Sequence, residues 1–398
     1  MNGFGVAVAS DSAMTFGRQR TYETAEKLIP LPSPHRLAVL HSGSVNIHGM
    51  PYSVLVNEWA ASLGATKLRT VALYRQNFLS WLSDNHEWVS PKRSTDDFIG
   101  QLGALYRDIW SEIKKMEENL GSSEDPVQRC LDIWRDKANM LSEWPLLAHY
   151  EGDWTNNTYR TLKDRIDRAR DYWFDDIPMN EAISEQIETV SRLYLERGHH
   201  LERSELAFVG YGEKQLLPSY ALVEISGFVN DSLLYELTRE MIAPDLESGN
   251  FFAICPIGQS DAIDRFLLGV DYSTVDVAAG AAMDKFVKHA HGIDQNEPFD
   301  SSTPLSEAEK ELGDAVFSAI DQAFRTWSDK NFKQPLFGVI AALPLASLAT
   351  AARSLIEIQS LSQTITGEMG TVGGPIDVAM ISRENGFQWI LHKSISLS

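Results

Sequence analysis

The residues that could do chemistry are few, and the sharpest arrangement lies near the start of the chain. Ala9-Ser10-Asp11-Ser12 ends a short apolar run, and Glu26-Lys27-Leu28-Ile29 opens another, with Asp11 and Lys27 sixteen positions apart. Taken alone, such an aspartate caps a turn. Such a lysine is a charge that guards an edge strand against aggregation. Other candidates are weaker. His289-Ala290-His291 has a spacing found in metal sites, but no partner cluster of Cys or His accompanies it, and a polar solvent loop over 289–300 is expected instead. His199-His200 follows Glu196-Arg197 at the end of a charged helical stretch, where imidazole suits the helix dipole. Gly3-Phe4-Gly5 does not extend to a dinucleotide fingerprint, because Val8 stands where the third glycine belongs. There is no phosphate-binding Walker loop and no Gly-x-Ser-x-Gly elbow. No cofactor and no metal are expected.

Composition bounds what these residues can serve. At 398 residues the soft prior is two to three domains. Apolar residues at 43% and charged residues at 23% describe an ordinary globular chain with material for a core. The net charge of −20 repels phosphate backbones and anionic lipid, so neither nucleic acid nor membrane is expected as a partner. No apolar run is long enough for a membrane helix, and the segment Phe337 to Ala349, broken by Pro344, reads as core. The start of the chain lacks the basic and apolar regions of a secretory leader. Cys130 and Cys255 lack metal-site spacing, which fits a cytoplasmic protein.

Three textures follow one another. Residues 1–64 are strand-rich: Gly5 to Ser10, Lys27 to Ile29 and Arg36 to His41, then a helical pattern of Tyr52, Leu55, Val56, Trp59, Ala60 and Leu63. Residues 65–204 are helical, with the clearest period at Phe98, Leu102, Leu105, Tyr106, Ile109, Trp110, Ile113 and Met116. Ser94 or Thr95 is the expected N-cap of that helix, and further helices are expected near 67–83, 126–143, 157–174 and 180–197. Seven of the ten tryptophans fall in this block, as aromatic packing of a bundle would require. Residues 205–398 are mixed. Leu206 to Gly210, Ser219 to Val229 and Asn250 to Ile257 read as strands, and Asp261 to Gly269, Glu307 to Asp329 and Leu345 to Ile365 as helices. Asn385-Gly386 between Ile376 to Ser382 and Phe387 to Ile390 is a hairpin signal. Segregation of strands from helices argues an α+β fold rather than a doubly wound parallel sheet.

In this order the segments resemble the proteasome-like branch of the N-terminal nucleophile (Ntn) hydrolases, of the 20S β-subunit or HslV type. The resemblance rests on the Asp11-Ser12 turn, the Lys27-Leu28-Ile29 strand, the Ser42-Gly43-Ser44 turn into a helix, and Pro218 to Gly227. It also rests on Ala253 to Ser260 and on Gly373-Gly374-Pro375-Ile376-Asp377-Val378-Ala379. It covers about 1–64 and 205–398, leaving 65–204 as a helical insertion. It implies a four-layer αββα sandwich and a threonine-peptidase mechanism directed at peptide or amide bonds. In that mechanism an N-terminal hydroxyl attacks the carbonyl with its own α-amino group as base. By position, Lys27 is the lysine that favours the ionised nucleophile and Asp11 the carboxylate that keeps it charged. Gly43 is the oxyanion glycine, and Ser260, or Gln259 with a slip of one residue, is the serine beside the site. The family's second aspartate maps to Met369, next to Glu368. The family's threonine maps about sixteen residues before Asp11, ahead of Met1, and Ser10, Ser12 and Thr15 are internal hydroxyls without a free amine. The resemblance therefore implies either an enzyme whose nucleophile precedes Met1 or a noncatalytic relative that serves as a self-assembling scaffold or binding protein. It also implies a ring-like homo-oligomer, with the helical insertion free to recruit a protein partner.

Overall fold

A computed structural model describes residues 1–16, 20–22, 25–119, 125–147, 153–177, 179–198, 203–243, 251–270, 272–292, 306–366 and 372–393. In chain order the strands and helices begin with β1 (Val6–Ser10), β2 (Met14–Phe16), β3 (Arg20–Tyr22), β4 (Leu28–Pro30), β5 (Arg36–Gly43), β6 (Asn46–Ile47) and β7 (Met50–Pro51). Then come α1 (Tyr52–Leu63), α2 (Val71–Asp84), α3 (Pro91–Asn119), α4 (Pro126–Glu143), α5 (Trp154–Phe174) and α6 (Glu181–Arg197). β8 (Ser204–Tyr211), β9 (Ser219–Val229), β10 (Ser232–Glu236) and β11 (Glu240–Ile242) follow. The chain continues with α7 (Asp261–Leu268), α8 (Tyr272–Ala290), α9 (Glu307–Ser328), a π-helical turn at Asp329–Lys333, α10 (Gln334–Ala342) and α11 (Leu345–Thr366). It closes with β12 (Asp377–Ser382) and β13 (Gly386–Leu391). The protein is thus mixed α and β with antiparallel sheets, and it divides into two compact units, Met1–Ala25 with Ile242–Ser398, and Glu26–Met241.

The second unit is built on an antiparallel sheet in the order β10-β9-β8-β5-β4, with β11 added to β9. Register explains its core. Ile29 pairs with Val39, Val39 with Phe208 and Phe208 with Ala221, so these residues form one row on one face. Helices α1 and α2 cover that face, where Trp59 and Phe78 meet Phe208 edge-on or tilted. The next row, Leu28, Leu40, Ala207 and Leu222, points the other way and is buried too. Buried rows on both faces require a covering layer on each side. Arg75 on α2 fixes the helix to the sheet by donating to the Leu222 carbonyl at 2.9 Å.

Helices α3 to α6 form their own core around Tyr106, Ile109, Trp134, Phe174 and Ile187. The predicted period of α3 is realised, with Leu102, Tyr106 and Ile109 fully buried. Its start is not where Ser94 or Thr95 would place it. Pro91 opens the helix, as proline suits the first position. Ser90 Oγ accepts the Arg93 N–H at 3.1 Å, and the Ser94 and Thr95 hydroxyls turn back to donate to the Pro91 carbonyl. Helix α2 shares its core with the sheet rather than with α3 to α6.

The first unit has a smaller sheet, β1-β12-β13, with α11 lying on β1 and β12. The Asn385-Gly386 hairpin forms as expected, pairing Ser382 with Gly386. Asn2 is fully buried and its amide donates to the Ile340 and Leu343 carbonyls, both at 2.9 Å. Three expectations change here. Residues 251–257 form no strand; only Phe252 bridges to Asn2. His289, the first residue of the expected loop, lies instead in the last turn of α8, and His291 Nε2 is 2.6 Å from Glu309 Oε1. Residues 293–300 of the expected loop lie outside the described residues, as do His199-His200 and Glu368-Met369. The run from Phe337 to Ala349 is not one core segment. The break before Leu345 separates two helices, Pro344 O accepts the Ser347 and Leu348 N–H groups, and Leu348 and Ala349 are buried while Val339 is 58% exposed.

Candidate functional site

Asp11 follows β1 directly. Its Oδ2 accepts the Ala13 N–H at 3.0 Å, an Asx-type turn, and the Gly373 N–H at 3.1 Å. Beyond it Ser12 donates its N–H to the Gly373 carbonyl at 3.1 Å, and its own carbonyl accepts the Ala25 N–H at 3.1 Å.

The Ser12 side chain leads to residues that sequence reasoning missed. Lys393, just past β13, extends its ammonium to Asp377 Oδ2 at 2.9 Å, Ser12 Oγ at 3.1 Å and the Ala25 carbonyl at 2.5 Å. Those acceptors use every ammonium proton. Asp377 Oδ1 accepts the Lys393 backbone N–H at 2.8 Å and faces His392 Nδ1 at 3.1 Å. The His392 ring stacks on Trp389 at 4.1 Å. The Lys393 and Asp377 side chains are 5% and 1% exposed. Ser12 is fully buried and donates to the Pro375 carbonyl at 2.6 Å. A serine beside a lysine suggests a nucleophile and its base. Here the Lys393 nitrogen already donates to a carboxylate, a hydroxyl and a carbonyl, and the Ser12 hydroxyl proton is committed to a carbonyl. The cluster is a latch that ties the end of β13 to the loop after β1. No local signal disclosed it: the register that Asn385-Gly386 sets would, carried straight on, place Leu391 opposite Asp377, and an irregularity between Val378 and Ala379 shifts the pairing by one residue.

Lys27 immediately precedes β4 and is half-buried; its carbonyl accepts the His41 N–H at 3.0 Å. His41 is buried. Its Nε2 donates to the Glu26 carbonyl at 3.0 Å, which fixes the tautomer and leaves Nδ1 without a partner among the described residues. Burial, with the Lys27 charge adding to it against the carbonyl contact, pushes the imidazole down to about 4.

Gly43 ends β5 with φ +78°, and a Cβ there would stand 2.3 Å from the Arg203 carbonyl oxygen. The close strand approach, Gly43 paired with Ser204, is what requires glycine. Ser260 sits at the N-cap of α7, where its Oγ donates to Asp264 Oδ2 at 2.7 Å rather than capping a backbone N–H. Asp11 and Ser260 therefore belong to the first unit, and Lys27 and Gly43 to the second. Among the described residues no group of three or more His, Cys, Asp or Glu could hold a metal, and no helix is long and apolar enough to cross a membrane.

Comparison with family models, with curated proteins and with solved structures finds no match for this chain.

Proposed function

We propose that the chain is a proteasome-like Ntn-fold subunit related to threonine peptidases, acting on peptide or amide bonds, in which the two sheets stack as a four-layer αββα sandwich. The observation that carries this reading is the strand path. β4 and β5 pair, two sheet-covering helices intervene, β8, β9 and β10 complete the same antiparallel sheet, and β1 pairs instead with the β12–β13 hairpin. The buried second row of Leu28, Leu40, Ala207 and Leu222 supports a stacked sheet on that side. In this reading Lys27 supplies the positive charge at the nucleophile, Asp11 holds it, Gly43 offers the oxyanion donor and Ser260 lies nearby. The subunit is cytoplasmic and assembles as a ring-like homo-oligomer. The test is the mature N-terminus of the natural protein together with amide hydrolysis. A terminal Thr, Ser or Cys ahead of Met1, with turnover lost in Lys27→Ala, supports the enzyme. Initiation at Met1 with no turnover overturns it.

A second reading, a noncatalytic scaffold or binding protein whose helices α3 to α6 recruit a partner, is favoured by one observation. The hydroxyl that follows Asp11, that of Ser12, is fully buried and bonded on both sides, and Asp11 Oδ2 already accepts two backbone N–H groups, from Ala13 and Gly373.

A further inference from the structure

A polar cavity of about 80 Å³ lies in the second unit between the β6–β7 turn, the start of α3 and β9. Three departures from regular backbone meet on it. His48 and Gly49 take φ of +49° and +87° at the centre of the two-residue turn joining β6 to β7, a conformation unfavourable for histidine. In the β9–β10 ladder Leu234 pairs with Gly227 and Tyr235 with Ile225, so Ser226 is the extra residue of a β-bulge. A bulge re-aims a side chain, and Ser226 Oγ is buried without a partner among the described residues. Gly227 takes φ +113°, and a Cβ there would stand 2.9 Å from His48 Nε2.

The lining groups divide into committed and uncommitted. His48 Nε2 accepts the Phe228 N–H at 2.7 Å, so the ring proton is on Nδ1, which donates to Asp97 Oδ2 at 2.7 Å. No ring nitrogen remains for a ligand; His48 positions Asp97. Tyr52 is bonded to Ser204. Arg93 engages Asp97 through Nε at 3.3 Å, which leaves its terminal nitrogens. The Gln101 side chain makes no hydrogen bond among the described residues, and of the Asn46 side chain only Oδ1 is used, accepting the Gly49 N–H at 3.0 Å. Among the described residues the uncommitted groups include converging donors, from Arg93, Gln101, Asn46 and Ser226, with the Arg93 cation already shared with Asp97 Oδ2 and only the Gln101 Oε1, the Ser226 hydroxyl oxygen and Asp97 Oδ1 as uncommitted side-chain acceptors beside them.

We infer that this cavity is a binding site for a small monocarboxylate. A carboxylate offers acceptors to converging donors and forks onto a guanidinium, whereas a dianion would meet Asp97 at close range. The volume equals the liquid share of about three waters, which fits an acid of roughly two or three carbons. Nothing in the assignment depends on hydrolase activity.

The experiment is a ¹⁵N-resolved NMR titration of the full chain with glycolate, with inorganic phosphate as comparison. Saturable shifts of the Ser226, Gly227 and Phe228 amides are expected in the millimolar range. Ser226→Ala and Arg93→Gln should each weaken binding about tenfold, the value of one hydrogen bond of about 1.4 kcal/mol. Ser226→Ala removes a buried hydroxyl without a partner, so its Tm should not fall, which separates lost binding from lost folding. Non-saturating shifts, undiminished affinity in both variants, or phosphate binding as tightly as glycolate would overturn the assignment.

Discussion

Lys393 Nζ lies 2.9 Å from Asp377 Oδ2 across the foot of the β12–β13 hairpin, and both side chains are almost wholly withdrawn from water. Removing one partner strands the other's charge in the interior, which costs about 3–5 kcal/mol. Lys393→Met should lower the unfolding free energy from urea titration by that amount, and pairing it with Asp377→Asn should cost less than the sum of the single changes. A single variant within about 1 kcal/mol of the parent would show that the latch contributes little.

Gly43→Ala should destabilise by about 2 kcal/mol or more, because the new Cβ meets the Arg203 carbonyl and the positive φ disfavours any side chain. Gly64→Ala is the control, since its Cβ would meet nothing within 4 Å although φ is +54° there. Denaturant titration of both variants separates the backbone term from the collision.

His41 sets a pH dependence. Its imidazole is held down to about 4 in the fold, chiefly by burial, against about 6.5 in the unfolded chain. Above that unfolded value both states are neutral and the full stability is present. As pH falls from about 6.5 towards 4, the unfolded chain takes up a proton that the folded one refuses, and stability is lost; below about 4 the loss levels off. The difference in unfolding free energy between the parent and His41→Gln should change by roughly 3.5 kcal/mol across that window, from a fall of about 2.5 in pKa at about 1.4 kcal/mol for each unit. A flat difference curve would contradict the burial argument.

Cys130 should resist alkylation in the folded protein. Burial, with Glu117 nearby, pushes its thiol up to about 11, and the residue is buried against Trp134. The thiolate is the reactive form, so mass spectrometry should find this cysteine labelled only when denaturant opens the α3 to α6 core. Rapid labelling without denaturant would mean that this core opens readily.

What the sequence disclosed follows from how local each signal is. The period of Leu102, Tyr106, Ile109 and Ile113 reads directly as one buried helix face, and Asn385-Gly386 marks a hairpin by its own conformational preference. Helix α8 escaped notice because Ala279, Gly280, Ala281 and Ala282 give its apolar stripe little contrast. Phe251 to Ile257 has the residue types of a strand but finds only one bridge, at Phe252. Asp11 and Gly43 were legible as turn residues, and Asp11 does close an Asx turn onto Ala13, but the Asp11 contact with Gly373 and the close approach of Gly43 to Arg203 depend on distant strands. The Lys393–Asp377 pair, the orphan Nδ1 of His41 and the re-aimed Ser226 were not, since each depends on a register or a bulge set by residues far along the chain.

The pairing of Val6 with Ile381 means that β1 waits for a partner synthesised several hundred residues later. At ordinary elongation rates the delay is roughly 20–75 s, while Glu26–Met241 is a contiguous stretch that can finish folding well before. Nascent chains arrested within α11 should therefore leave Val6–Ser10 open to protease or to a chaperone, whereas the β8–β9 ladder is already protected.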